Sequence, residues 1–348
     1  MQVANKRESV TIYDVAKEAG TSKSTAARVM AKTGSVSERV SSAVMEAANR
    51  LGYQPDEQAR RLATGRFDNV VDIFTADLDY GVILRRIKSI QVLLQSRDLE
   101  VSYHICSLQS KSKAQTIQKL RRRKPRAIVA STWSMDEDAV NELNGYMQDG
   151  GVVVCFGTNE ALPLQCDQIL FDEEQNTYLA VRHLLDMGHT EIGFNSHFDS
   201  NPDHPRIRGM KRALKEAGVA YHPEWRHDSI VYEEGGAQLA SWFLGLKDRP
   251  TAMCINNDVV ASVFVQLLYR SGLKVPEDVS VVGHDDSPVA AHCIVPLTVA
   301  SQPIWPEAEM VVEFLMERLS GYEGPPRIII NHGELLQRQS VARVVPRS

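Results

Sequence analysis

The sequence predicts an α/β protein in three parts: an all-α helix-turn-helix head, then two doubly wound α/β lobes. Three observations predict it. Residues 11 to 31 read as two short helices joined by a tight turn. From residue 69, β-prone apolar runs alternate with helical ones in two successive series. Charge divides at the same place: residues 1 to 66 hold 11 Lys and Arg against 7 Asp and Glu, leaving 28 against 37 for the rest. A net of +4 on the head and −9 on the body is hidden inside a whole-chain charge of −5. A basic head concentrates near a polyanion, and an acidic body does not.

The first helix starts at Thr11, a candidate N-cap with Asp14 three positions on, an acidic variant of the capping box. Ile12, Val15, Ala16 and Ala19 recur at helical spacing and give one apolar face. Gly20 can take the left-handed conformation that ends a helix, and Ser22 caps the next one. In the second helix Ala26, Val29 and Met30 face inward, which leaves Lys23, Ser24, Thr25 and Arg28 outside. That face is short, polar and positive, as a helix entering the major groove requires. Arg28 suits a bidentate contact with guanine, and Ser24 suits several base edges. Lys23 and Thr25, near the helix N-terminus, suit phosphates as well as bases. The competing reading is an ordinary helical hairpin with a solvated face.

Residues 36 to 53 form a third amphipathic helix, capped by Ser37, striped by Val40, Val44, Ala47, Ala48 and Leu51, and ended by Gly52. After Pro55, the segment from Asp56 to Arg66 has almost no apolar face. It orders only against a partner.

In the body, the first series has strands at Val70 to Phe74, Val101 to Cys106, Ala127 to Ala130 and Val152 to Phe156, with helices near 82–96, 113–123 and 136–149. The second has strands near 168–171, 191–195, 228–231, 252–255 and 279–283, with helices near 174–187, 206–217, 235–246 and 257–271. Such alternation predicts parallel sheets covered on both faces. A ligand cleft is then expected at the strand carboxyl ends.

A chain of 348 residues suits a head plus two lobes. Nothing at the N-terminus resembles a signal peptide, and no run is long and apolar enough for a membrane span. Cys106, Cys155, Cys166, Cys254 and Cys293 include no CxxC pair. Three of the five lie in apolar strand-like runs, as buried thiols in a reducing cytoplasm would. No Gly-x-Ser-x-Gly elbow, phosphate loop or Gly-x-Gly-x-x-Gly is present. His197 with His204, and His222 with His227, have no known ligand spacing. Asp285 and Asp286 are adjacent at a strand end and point apart. No enzyme, cofactor or metal is expected.

The run Thr-Ile-Tyr-Asp-Val-Ala-Lys-Glu-Ala-Gly, then Ser-x-x-Thr-x-x-Arg-Val, Val-Ser, Leu-Gly-Tyr-x-Pro and Ala-Arg-x-Leu resembles the head and hinge of the lactose/galactose-repressor (LacI/GalR) family of bacterial transcription regulators. In the body, Pro250-Thr-Ala with Asn257-Asp258, the run from Gly272 to Asp286, Pro296-Leu-Thr with Gln302-Pro303, and Glu334 to Ser340 extend the resemblance over most of the chain. It implies a core similar to periplasmic sugar-binding proteins. It implies DNA contacts from Thr11, Ser22, Lys23, Ser24, Thr25 and Arg28, and a hinge helix with Ala59 and Arg60 before Leu62. Leu62 would be the wedge that enters the minor groove and kinks the duplex. For an effector it implies Arg206, of an Arg-x-x-Gly pattern, together with Asn257, Asp285 and a stacking Tyr232. These types suit a hydroxyl-rich ligand. The chain departs from the pattern where Asp77 to Ile83 and Gly157-Thr158 replace the usual polar positions and where His284 replaces an aromatic residue. Asp79 and Tyr80 are candidates for a different pocket wall, or an exposed loop.

The expected organisation is a head over 1–54, a hinge over 55–68 and a core over 69–348, with one lobe about 69–171 plus 303–328 and the other about 172–302 plus 329–345. The reading is a cytoplasmic, nucleoid-associated repressor. It binds double-stranded DNA at a palindromic operator as a homodimer, under a small effector such as a sugar or related metabolite. The alternatives are a regulator or activator governed by a protein partner, and a small-molecule binding protein without a DNA role.

Overall fold

The computed structural model describes residues 10–30, 35–53, 67–76, 81–106, 113–133, 135–158, 160–196, 201, 203–230 and 232–344. The chain divides into two units, Met1–Phe67 and Asp68–Ser348.

In the first unit, α1 (Ile12–Glu18), α2 (Lys23–Met30) and α3 (Glu38–Leu51) surround a small core. Val15, Ala16, Ala26, Val29, Val44, Ala47 and Ala48 are buried together, with Ile12, Ala19, Met30, Val40 and Leu51 packed around them. These are the apolar faces that the spacing predicts. The Thr11 amide and hydroxyl both donate to Asp14 Oδ2, at 2.8 and 2.7 Å, so Asp14 closes the start of α1. Gly20 and Gly52 end α1 and α3 at φ of 63° and 64°, where a Cβ would be strained. Ser22 Oγ accepts the Thr25 amide at 3.1 Å and caps α2.

The second unit contains β1 (Phe67–Ala76), α4 (Gly81–Gln95), β2 (Glu100–Cys106), α5 (Lys113–Arg123), β3 (Pro125–Ser131), α6 (Glu137–Gln148), β4 (Val152–Thr158) and β5 (Asp167–Phe171). These are followed by α7 (Glu173–Asp186), β6 (Ile192–Ser196), α8 (Pro205–Glu216), β7 (Arg226–Asp228), α9 (Glu233–Gly245), β8 (Ala252–Ile255), α10 (Asp258–Arg270) and β9 (Ser280–Asp285). The chain ends with α11 (Pro288–His292), β10 (Thr298–Ser301), α12 (Ile304–Leu319), β11 (Ile328–Asn331) and β12 (Leu335–Leu336).

Two six-stranded sheets result, in the orders β11-β5-β4-β3-β1-β2 and β12-β10-β9-β8-β6-β7. Each reverses its strand order once, between β1 and β3 and between β6 and β8, the switch points at whose carboxyl ends such sheets bind ligands. The alternation along β1 shows why both faces are covered. Val71 and Ile73 pack under α4 and α12, whereas Phe74 packs under α5 and α6. The second sheet is covered by α9 and α10 on one face and by α7 and α8 on the other.

Three corrections follow from the pairing. The strand expected near 168–171 as the first of the second series pairs with β4 in the first sheet. The crossover to the second lobe comes after Phe171, at the bound expected for the first lobe. Only the place of this strand in the second series changes, because a βα repeat does not itself say which sheet a strand joins. The strand expected at 228–231 is Arg226–Asp228, a short edge strand beside β6. The chain also stays in the first lobe past 328: Ile328 to Asn331 pair in parallel with Gln168 to Phe171.

Three segments thus cross between the lobes, at Asp172, at Gln302-Pro303 and at 332–334. They are tied to one another. The Asp172 amide donates to the Asn331 carbonyl at 2.9 Å, and the Ser301 amide to Glu334 at 2.8 Å. Asn176 Nδ2 donates to the Ala300 carbonyl at 3.2 Å. Gly333 makes the close approach possible, because a Cβ there would strike the Ser301 carbonyl and Asn176 Oδ1.

Candidate functional site

The head presents one polar surface. With Ala26 and Val29 buried, Lys23, Ser24 and Arg28 are exposed and Thr25 half-buried. Ser22 Oγ lies 2.9 Å from both Ser24 Oγ and Thr25 Oγ1 and holds the first turn of α2 together. Arg28 Nε donates to the Ser24 carbonyl at a long 3.4 Å. Tyr13, which sequence reasoning did not single out, is 62% exposed on α1. Its ring lies 4.3 Å from Lys23 Nζ. The signal for it was an aromatic residue on the polar side of a short helix. Thr11 is also exposed, bound to Asp14. Ala59, Arg60 and Leu62, and with them the expected hinge helix, lie outside the described residues, as do Asp79 and Tyr80.

In the second unit the structure brings Arg206, Asn257 and Asp285 together at the carboxyl ends of β8 and β9. Arg206 opens α8, capped by His204 and started by Pro205. Gly209, one turn on, lets α8 lie directly against α7, since a Cβ would enter the Glu174 carbonyl. That contact carries the Arg206 side chain to Glu173. Arg206 Nε and Nη2 both reach Glu173 Oε1, at 3.0 and 2.9 Å. Nη1 donates to the Asn256 carbonyl at 2.7 Å and to Asn256 Oδ1. Asp285 Oδ1 is 3.9 Å from Nη2.

Asp285 leaves β9 at φ 89°, a backbone region costly for any residue but glycine, and Asp286 follows at φ 58°. The two carboxylates do point apart. Asp285 Oδ1 accepts Gln302 Nε2 at 2.5 Å, and Asn257 Nδ2 approaches Oδ2 at 3.4 Å. Asp286 Oδ1 accepts Arg338 Nη2 at 2.6 Å. Asn257 Oδ1 also caps α10 through the amides of Val259 and Val260, at 2.8 and 3.3 Å. Tyr232 precedes α9 and packs, with Trp133, against the first lobe's apolar cluster.

The polar chain continues into the first lobe. Gln302 Oε1 accepts Arg86 Nη2 at 2.8 Å, and Arg86 Nε is 2.8 Å from Glu307 Oε1. Arg85, beside it on α4, donates to the Asp286 carbonyl. Sequence reasoning missed Arg86, Glu173, Asn256 and Glu307. Gln302 and Asp286 lie in the motifs that carry the family resemblance.

The ionisation follows from burial. Burial pushes the Asp285 carboxyl up against the pull of Arg206 and Gln302. Burial likewise raises Asp258, with the Asp285 charge adding to it. Arg206 is held in its charged form by Glu173 and Asp285, which outweigh its own desolvation. Burial, then Arg206, lowers His284 to about 3, so its ring is neutral. His284 Nδ1 donates to the Ile255 carbonyl at 2.9 Å, and its Nε2 lies 3.3 Å from the Thr177 hydroxyl.

A DNA-reading head joined to a two-lobed core, with a polar site at the strand carboxyl ends, defines a helix-turn-helix transcription regulator. Residues 11–56 match the family described as bacterial regulatory proteins, lacI family, and residues 181–341 match a periplasmic binding protein-like domain. The chain is 30% identical over 300 residues to the HTH-type transcriptional regulator DegA of Bacillus subtilis (strain 168), covering 84% of this chain and 87% of the relative. It is 29% identical over 337 residues to the HTH-type transcriptional repressor PurR of Vibrio vulnificus (strain CMCP6), covering 96% and 99%. The fold matches the lac repressor dimer bound to operator and the anti-inducer ONPF with a TM-score of 0.81 at 22% identity, over 96% of this chain and 100% of that one. It matches a CelR–cellobiose complex with a TM-score of 0.69 at 23% identity, over 95% and 99%. The chain belongs to the lacI family of bacterial regulatory proteins, a family of transcription regulators and not of enzymes.

Proposed function

We propose that the chain is a cytoplasmic repressor that binds a palindromic operator as a homodimer and is controlled by a small hydroxyl-rich effector between its lobes. The observation that carries the DNA reading is the surface of α2. Lys23, Ser24 and Arg28 are exposed on the side opposite a fully apolar head core. Two such heads engage two half-sites, and protein symmetry mirrors site symmetry. Tyr13 and Thr11 extend the same surface toward phosphates.

The dimer reading rests on α4 and β2. Leu84, Val92, Tyr103 and Ile105 are exposed there, and β2 is a sheet edge. A second copy is the occupant this face suits, since a twofold pair also supplies the second head. An effector held by Asp285 and Asn257 under Tyr232 then acts on α4. Arg85 and Arg86 of that helix already bind Asp286 and Gln302. Lobe closure and hinge spacing form one two-state equilibrium.

Selection of bound sequences from random DNA by the full chain tests this reading. It is expected to enrich two inverted half-sites about one helical turn apart. Enrichment of nothing, or of one unpaired half-site, contradicts it. On the selected operator, Leu62→Ala is expected to weaken specific binding far more than nonspecific binding. Equal loss on both would count against the wedge. Thermal-shift screening against neutral sugars and nucleobases tests the effector, because a ligand of the native cleft raises stability by mass action. A null screen with intact operator binding would point to control by a protein partner.

A further inference from the structure

Arg206 is positioned as a ligand-binding arginine would be, yet its N–H groups are engaged from inside the chain. Nε and Nη2 converge on one oxygen of Glu173, at 3.0 and 2.9 Å, and Nη1 is taken by Asn256. Both side chains are buried, with Arg206 and Glu173 each 5% exposed. The pairing is enforced by packing. Gly209 brings α8 onto α7, and Asp172 accepts the Gln175 amide at 2.8 Å, which sets Glu173 at the first position of α7. His204 lies 3.9 Å from the other Glu173 oxygen. Burial lowers it to about 4, so at neutral pH it brings no second positive charge. Asp285, another acid, lies 3.9 Å from Arg206 Nη2.

We propose that Glu173 is a built-in carboxylate ligand of Arg206 and the specificity-determining residue of the cleft: it fills the anion position from within and bars acidic effectors. The proposal rests on the cleft being the effector site and narrows what that site accepts. A carboxylate or phosphate arriving at Arg206 would have to displace Glu173. A buried carboxylate would then lose the guanidinium it is paired with, a costly exchange. It would also meet the field of Asp285. A neutral polyol needs no such exchange, because Asp285 and Asn257 can take hydroxyls while Arg206 keeps Asp285 oriented. Arg206 is thus a positioning residue, and Asp285 the group that faces the ligand.

The test is chemical rescue in the full-length chain. Thermal unfolding is followed with increasing sodium acetate or inorganic phosphate, against sodium chloride at matched ionic strength. The wild type should show no saturable rise beyond the chloride control. Glu173→Ala should show a saturable rise with acetate, of about 2 °C or more, as the added carboxylate reoccupies Arg206. Should Glu173→Ala not fold, Glu173→Gln carries the test. It keeps an acceptor toward Arg206 but lacks the charge, and it should gain saturable phosphate binding that the wild type lacks. A saturable acetate or phosphate response in the wild type overturns the proposal. So does the absence of any response in the variants that fold. Neutral sugars run alongside separate the two readings: rescue of the variants without any sugar response defeats the sugar effector but leaves the role of Glu173 intact.

Discussion

Arg28 and Arg206 place the same guanidinium in opposite settings. Arg28 is exposed, with Nε at 3.4 Å from a carbonyl, a bond that a base edge can replace. Arg206 is buried among acids and amides. Arg28→Ala is therefore expected to remove about 1–3 kcal/mol of discrimination at one base pair of each half-site. Nonspecific affinity should change by little more than one phosphate contact. Binding to the operator and to its single-base variants measures both. Buried histidines make a second prediction at this scale. His284, lowered from 6.5 to about 3, stays neutral in the fold while the unfolded chain takes a proton below about pH 6.5. Stability is thus full above that pH and falls on acidification, by about 2 kcal/mol at pH 5 from this group alone. His204, lowered to about 4, adds to the same loss. Urea midpoints at pH 7, 6 and 5 check the slope, and a flat profile would contradict neutral burial.

At the scale of elements, the first lobe closes through one carboxylate. Asp167, at the start of β5, accepts Arg318 of α12 at 2.9 Å from both Nε and Nη2. It also accepts the amide and side chain of Arg327, which leads into β11, at 2.8 Å for the amide and for Nη2. Burial alone would raise this carboxyl, but Arg318 and Arg327 outweigh it and hold it at about 2. Its contribution is full above about pH 4 and is lost as pH falls from about 4 to about 2. Asp167→Asn takes the anion from Arg318 and leaves Arg327 with Glu317, and should cost about 3 kcal/mol. Thermal melts should show the core transition lowered, and an unchanged core transition would refute the tie.

Most of these elements were legible in the sequence, because continuous apolar β-prone runs and helices with one apolar stripe carry their own pattern. Ala127–Ala130, Val152–Phe156 and the three faces of the head core are cases. What was not legible depends on pairing across the fold. Nothing local in Asp167–Phe171 tells which sheet it joins, and the same holds for Ile329 to Asn331. The partners of Arg206 were hidden for the same reason. Glu173 lies 33 residues earlier and Gln302 belongs to another crossing segment, so only the packing of α7 on α8 and the meeting of the three crossings bring them together.

For the whole molecule, the two units divide the work along the charge boundary that the sequence shows. The unit Met1–Phe67 has its own apolar core, and Asp68–Ser348 contains both sheets. Removing residues 1–66 should leave the core folded, with its thermal transition retained. The polar chain from Glu307 through Arg86, Gln302 and Asp285 to Arg206 and Glu173 spans both lobes of that core. It connects Asp285 to α4, the route the proposed effector control would use. The measurement that tests the central claim most directly is competition for the selected symmetric operator against a scrambled duplex of equal length at about 0.15 M salt, using the full chain and the chain lacking residues 1–66. The full chain should prefer the operator by about a thousandfold or more, and the truncated chain should bind neither. Equal binding of operator and scrambled duplex by the full chain, or operator preference surviving the truncation, would contradict the account.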